Sequence, residues 1–145
     1  MMSTHARALP PVDRLTLERI DFPRIRDAVA ARAQTEVGRT RAASLPLLPT
    51  VGAVRERLQT VGELVHVATE DMAWPSLSGI ADLSAPLKLA EKQGVLEPLQ
   101  LRAVATAFLV GERAANWCLS RRERAPRVAA LVDGFGDYED LCARI

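Results

Sequence analysis

The chain has little of what builds a conventional active site or a membrane anchor. Aromatic residues make up 4% of its 145 residues and hydrophobic residues 48%, so any core must be aliphatic, and this composition favours helices. The formal net charge is +1, from 19 basic and 18 acidic residues, which removes the electrostatic case for wrapping a polyanion with the whole chain. The length predicts one domain with one modest core.

Cysteines and long apolar runs are also scarce. Cys118 and Cys142 are far apart and lack the close Cys or His spacing of a zinc site or a redox motif. We therefore expect free, packed thiols, no bound metal and a cytoplasmic location. The start of the chain has no apolar signal region, and no apolar run approaches the roughly 20 residues that cross a bilayer. The sequence thus predicts a soluble protein without a membrane anchor.

Caps and apolar periodicity predict an all-α fold, an irregular multi-helix bundle with two long amphipathic helices. The first 14 residues are polar, contain proline and have no helical stripe, which predicts a flexible arm before a helical region over residues 15–145. Asp21 and Thr35 are placed to cap two short helices. Thr50 is placed to cap the clearest helix. That helix carries an apolar stripe, which we expect to pack on the core, formed by Val51, Val54, Leu58, Val61, Val65 and Ala68.

A loop and a second long helix follow. Trp74 and Leu77 lie in the loop over residues 70–81, and both are expected to tuck against the bundle. Gly94 can end the next, shorter helix in a left-handed conformation. The second long helix begins near Pro98, and Gly111 within it predicts that another helix crosses there.

The last part of the chain shows helix starts but no final helix stop. Pro126 restarts a short helix, and Asp137 can cap a last one. The apolar pattern of this last helix still runs at Ile145, and no glycine or proline follows it to mark a helix end. We therefore expect that the chain ends within an element of a longer protein.

Candidate chemistry along the chain is sparse. His66 has only His5 as a second histidine, so a helix-surface histidine is favoured over a metal ligand or a general base. The acidic pair Glu70-Asp71 has no second acidic cluster nearby in the sequence, and we expect it to be solvated at a helix end. Neither a Walker A loop nor a glycine-rich dinucleotide motif occurs. We predict no catalytic residue, no cofactor site and no metal site in this chain.

The densest basic stretch is formed by Arg121, Arg122, Arg124 and Arg127. Its position after a long helix fits helix-end capping and solvation, because basic side chains complement the negative end of a helix dipole. Contact with nucleic-acid phosphates is the other interpretation, although Glu123 dilutes the positive field. The sequence leaves both interpretations open.

Two ordered signatures resemble the second bacterial MutS family, MutS-II. The first contains Asp21-Phe22, then Thr35-Glu36-Val37-Gly38-Arg39, then Leu45-Pro46-Leu47. The second contains Gly79-Ile80-Ala81-Asp82 and the turn Gly94-Val95-Leu96 before a long helix. The resemblance extends from about Leu15 to Ile145. Glu97 departs from the family, which more often has a hydroxyl or aspartate cap before that helix.

The resemblance implies that the chain is the N-terminal part of the helical core and lever region of a longer, homodimeric ATPase. That parent would bind ATP and Mg²⁺, carry clamp and ATPase domains and usually a C-terminal endonuclease module, and act on DNA or on ribosomes. None of the family's nucleotide-binding or nuclease motifs lies in these residues. This part would therefore have no activity alone, and its partners would be the rest of its own chain. The alternative is a free-standing helical adaptor that binds a partner through an exposed groove.

Overall fold

The computed structural model describes residues 12–145, and every regular element in that range is a helix, which confirms the predicted all-α fold. The eight helices are α1 (Arg14–Arg19), α2 (Phe22–Ala30), α3 (Glu36–Ala43), α4 (Val51–Glu70), α5 (Ser84–Glu91), α6 (Pro98–Leu119), α7 (Pro126–Ala130) and α8 (Glu139–Arg144). Most of the predicted arm, residues 1–11, lies outside the described residues. Among the helices described, none combines the length and the apolar character that crossing a membrane requires.

Helix α1 is not predicted by the sequence pattern. Asp13 caps it, because Oδ1 of Asp13 accepts a hydrogen bond from the backbone N–H of Thr16 at 2.8 Å and Oδ2 accepts one from the Thr16 hydroxyl at 3.0 Å. These hydrogen bonds lower the pKa of the Asp13 carboxyl. The helix has six residues, which is too short for a helical apolar period to be detected in the sequence.

Two hydroxyl caps and one proline start helices where the sequence predicts them. Thr35 Oγ1 accepts a hydrogen bond from the backbone N–H of Gly38 at 3.0 Å, and Thr50 Oγ1 accepts one from that of Ala53 at 3.1 Å. Each bond satisfies an N–H that has no partner within its own helix. Pro98 is the first residue of α6, where its missing N–H costs no hydrogen bond.

Two helix ends differ from the prediction. Asp21 makes no side-chain cap to α2, so the predicted cap is wrong. Its φ is 55°, and its backbone N–H donates to the carbonyl of Glu18 at 3.1 Å, so it ends α1 instead. After α5 the left-handed residue is Gln93, with φ of 58°, and not Gly94. Gly94 is needed for space, because an added Cβ would lie 2.3 Å from Cδ1 of Leu89.

Helix α4 buries a different face from the one predicted. The five stripe residues over 51–65 are 37% to 64% exposed, and only Ala68 at the end of the stripe is buried. Val67 is fully buried, and Leu64 packs beside it. Leu58 and Val67 are nine positions, or about 2.5 turns, apart, so they lie on opposite faces of the helix. The prediction that the whole stripe packs on the core is wrong, and α4 carries two apolar faces.

The core is small and lies where α4 meets α6 and α7. Its buried cluster, and the half-buried residues packed against it, are Val67, Cys118, Ala125, Val128, Leu64, Trp117 and Val132. Many large apolar side chains of the described helices remain in contact with solvent, among them Ile25, Leu58 and Leu99, each more than half exposed.

The positions of two aromatic residues, Phe135 and Trp74, differ from the sequence predictions. An added Cβ at Gly111 would lie 2.7 Å from Cζ of Phe135, so an aromatic ring from the segment after α7 occupies the space where a crossing helix was predicted. Trp74 is 52% exposed and does not tuck against the bundle, whereas Leu77 is partly buried. Tyr138 stacks on Phe108 with ring centroids 4.2 Å apart, which attaches the segment before α8 to α6.

Candidate functional site

The predicted basic stretch forms the turn from α6 to α7, and this turn packs on the C-terminal end of α4. Arg121, Arg122 and Arg124 follow the last residue of α6, and Arg127 is the second residue of α7. The acidic residues that face them come mainly from residues 63–71 of α4 and its C-terminal cap. The structure therefore brings the four predicted arginines together and places carboxylates against them.

Arg121 is the most enclosed of the four. Its Nε donates to Oδ2 of Asp71 at 2.7 Å, and its Nη1 donates to the backbone carbonyl of Trp117 at 3.0 Å. The guanidinium carbon lies 4.1 Å from the centroid of the Trp117 ring, a cation–π contact. Only 20% of the Arg121 side chain is exposed. These contacts use most of the guanidinium and leave little of it for a ligand.

Asp71 also binds Arg124, and so joins two arginines. Nη1 of Arg124 donates to Oδ1 of Asp71 at 2.9 Å, while Nη2 donates to Oε2 of Glu70 at 2.5 Å. The hydrogen bonds from Arg124 and Arg121 lower the pKa of the Asp71 carboxyl, against a smaller opposing effect of burial. Asp71 is therefore ionised at neutral pH, and it holds the end of α4 against the turn.

Glu63 plays a similar role at the start of α7. Its Oε1 accepts from Nη1 of Arg127 at 2.6 Å, and its Oε2 accepts from the backbone N–H of Arg127 at 2.8 Å. Burial acts to raise the pKa of Glu63, but the hydrogen bonds from Arg127 and Val128 lower it overall. A carboxylate from α4 thus caps the N-terminus of α7, where helix N–H groups lack partners. Arg122, the fourth arginine, pairs with Asp133.

The other candidate residues lie apart from this arginine cluster or make no centre of their own. Nε2 of His66 lies 3.4 Å from Oε1 of Glu70 on the surface of α4, whereas His5 lies outside the described residues. Within residues 12–145, no group of three His, Cys, Asp or Glu side chains is placed to hold a metal ion. Both thiols are free: Cys118 is buried, which raises its pKa, and Cys142 is partly buried.

The sequence interpretation missed an exposed apolar surface on α4. We name it the α4 seam and define it by Val51, Val54, Leu58, Val61 and Val65, which follow one another at alternating steps of three and four residues. Beside it lies a groove of about 530 Å³, lined by Leu48, Ala53, Glu56, Arg57, Thr60, Val61, Leu64 and Leu131. The periodic signal was detected, but periodicity alone does not say whether a stripe is covered.

These features define an all-helical protein in which ion pairs join the helices and an apolar seam stays open. The chain is similar to the endonuclease MutS2 of Anaeromyxobacter sp. (strain Fw109-5), with 37% identity over 130 residues, 90% of this chain and 16% of that protein. It is also similar to the endonuclease MutS2 of Symbiobacterium thermophilum, with 30% identity over 134 residues, 92% of this chain and 17% of that protein. The chain is therefore MutS2-like, which confirms the resemblance to the second bacterial MutS family.

The similarity covers nearly all of the chain but little of the relatives. The chain spans about one-sixth of the length of these two proteins. No family model matches it, and no solved structure is significantly similar to it.

Proposed function

We propose that this chain is a helical scaffold region of a MutS2-like ATPase, and that it couples the ATP state of the longer protein to movement of a clamp. The observation that carries the proposal is the similarity to MutS2 proteins over nine-tenths of the chain. ATP and Mg²⁺ would bind elsewhere in the longer, homodimeric protein, and any endonuclease module would also lie elsewhere. DNA or ribosomes would be its target.

The ion pairs between α4 and the α6–α7 turn support the coupling role. A scaffold transmits force only if its helices move together, and this requires contacts that resist sliding and rotation. Asp71 is bound by two arginines, and Glu63 holds both the side chain and the backbone of Arg127. These contacts tie α4 to the α6–α7 turn at Asp71 and to the start of α7 at Glu63.

A chimera tests the proposal. This chain replaces the aligned segment of the Anaeromyxobacter relative, and ATP hydrolysis is measured alone, with branched DNA and with ribosomes. We expect hydrolysis by the chimera and none by the purified 145-residue chain. In the chimera, Asp71→Asn should keep basal hydrolysis but lower its stimulation by the target, while Asp140→Asn, in α8, should leave both unchanged. Turnover by the isolated chain, or full stimulation in Asp71→Asn, would contradict the proposal.

A free-standing adaptor remains the second candidate, because the open α4 seam is also what an adaptor would use to bind a partner. Nucleotide sequence downstream of Ile145 separates the two. A reading frame that continues into a Walker A loop favours the scaffold, whereas a stop codon directly after Ile145 favours the adaptor.

A further inference from the structure

The α4 seam has the repeat of a coiled coil. With Val51 as position a, the heptad places Val51, Leu58 and Val65 at a and Val54 and Val61 at d. All five are exposed, although they lie on a helix of 20 residues whose other side is packed. An a/d stripe of this kind has the shape that accepts one further helix, knobs into holes.

The charges at the flanking e and g positions of the seam have a single sign. The e and g positions between Val51 and Val65 are held by Arg55, Arg57, Gly62 and Leu64, so both charged flanking residues are arginines. None of the ion pairs found over residues 12–145 involves Arg55 or Arg57, in contrast to the arginines of the α6–α7 turn. The two carboxylates of this stretch lie at position f: Glu56 lines the neighbouring groove, and Glu63 is bound by Arg127.

We propose that the α4 seam is the docking surface for one amphipathic helix from outside this chain, with apolar residues at its own a and d positions and carboxylates at e and g. The apolar seam supplies the contact area, and Arg55 and Arg57 select the acidic flanks. The groove toward Leu131, which is 72% exposed, extends the apolar surface on one side. This proposal stands on α4 alone and goes beyond the scaffold function.

A second copy of this chain fits the surface less well. Another α4 would bring Arg55 and Arg57 to the flanks of its own seam, with no carboxylate at e or g to meet the arginines of the first copy. The other two flanking residues, Gly62 and Leu64, carry no charge and so add no attraction between the two copies. Charge complementarity therefore favours a helix of different sequence over self-association.

The test uses two designed peptides of about three heptads, with identical Leu and Val at a and d. One has Glu at every e and g position and the other has Lys, so that like charges keep each peptide from pairing with itself. Binding of each labelled peptide to the 145-residue chain is measured by fluorescence anisotropy. We expect the Glu peptide to bind at least about tenfold more tightly than the Lys peptide, and the difference to shrink with salt.

Variants of the chain locate the site. Leu58→Asp, on the seam, should abolish binding of the Glu peptide. Leu99→Asp is the control and should not, because Leu99 lies on α6, although its exposed fraction is similar (68% against 64% for Leu58). The double variant Arg55→Glu/Arg57→Glu should reverse the preference toward the Lys peptide. All these residues are exposed, so far-UV circular dichroism should show unchanged helicity.

Three outcomes would overturn the proposal. Equal binding of the two peptides would show that the arginines do not select the partner. An equal loss of peptide binding in Leu58→Asp and Leu99→Asp would show that the seam is not the binding site. Dimerisation of the chain in sedimentation equilibrium that Leu58→Asp abolishes, without binding of either peptide, would assign the seam to a second copy instead.

Discussion

Asp71 and Arg121 are 50 residues apart in the sequence, yet Oδ2 of the first lies 2.7 Å from Nε of the second. About one-fifth of each side chain is exposed, so water screens the pair less than it does a surface ion pair. The pair joins the C-terminal cap of α4 to the turn after α6, and Arg124 binds the second oxygen of the same carboxylate. It is the point at which the two long helices are held together by charge.

This ion pair predicts a loss of stability in acid. Because the folded state lowers the pKa of Asp71, its contribution is complete above the unfolded-state pKa of about 3.9 and is lost as the pH falls through the lower folded-state value. The free energy of unfolding, measured in urea across this range, should therefore decrease in acid. Asp71→Asn should lower it at pH 7 and weaken the pH dependence, with Asp140→Asn as the control. An unchanged pH profile in Asp71→Asn would contradict the assignment.

Two substitutions on α4 distinguish its faces. Val67→Ala removes a fully buried side chain and should lower the free energy of unfolding by about 2 kcal/mol. Leu58→Ala, on the opposite face, should change it by less than about 0.5 kcal/mol. Chemical denaturation measures both. If Leu58→Ala were the more costly change, the face given by the sequence periodicity would be the buried one after all.

Two glycines within helices should respond differently to alanine. Gly62→Ala in α4 meets no atom within 4 Å and should stabilise the protein by about 1 kcal/mol through helix propensity. Gly111→Ala in α6 should not reach this gain, because the new Cβ would lie 2.7 Å from the Phe135 ring. In a Phe135→Ala background the gain at Gly111 should appear. Equal gains at both glycines in the wild-type chain would rule out this ring contact.

The two thiols should differ in reactivity with a disulfide reagent under native conditions. Cys142 is partly exposed and should react first. Cys118 is buried and burial raises the pKa of its thiol, so it should react only as the protein unfolds. The measurement follows the thiolate that the reagent releases over time. The Cys142→Ser variant isolates the slow reaction of Cys118. A fast phase in Cys142→Ser would show that the core around Cys118 opens readily.

Nucleic-acid contact by Arg121, Arg122, Arg124 and Arg127 stays a prediction of the sequence. Because each is paired with a carboxylate in the structure, we expect the salt dependence of any DNA binding to be the same in wild type and in Arg122→Gln/Arg124→Gln. Titration of duplex and branched DNA at several salt concentrations measures this slope. A slope that falls by about one for each arginine removed would assign them to phosphate contacts.

Helix starts were the part of the fold that local sequence predicted best. Thr35, Thr50, Pro98 and Pro126 begin helices where predicted, because a cap or a first-turn proline acts on backbone groups within a few residues of itself. Helix ends in a left-handed conformation were predicted less well. After α5, local preference pointed to Gly94 as the left-handed residue, but Gln93 adopts this conformation instead. Gly94 is required there for another reason, because Leu89 occupies the space that a Cβ would need.

The sequence by itself therefore determined that the chain is helical, where its main helices start, and which family it resembles. It did not determine which face of α4 is buried, because α4 has apolar residues on two faces and the choice depends on where Cys118 and Val128 lie. Nor did it show that three of the arginines after α6, Arg121, Arg124 and Arg127, meet carboxylates 50 or more residues earlier. Tertiary structure decided both, since burial and ion pairing depend on distances between helices that no local pattern encodes.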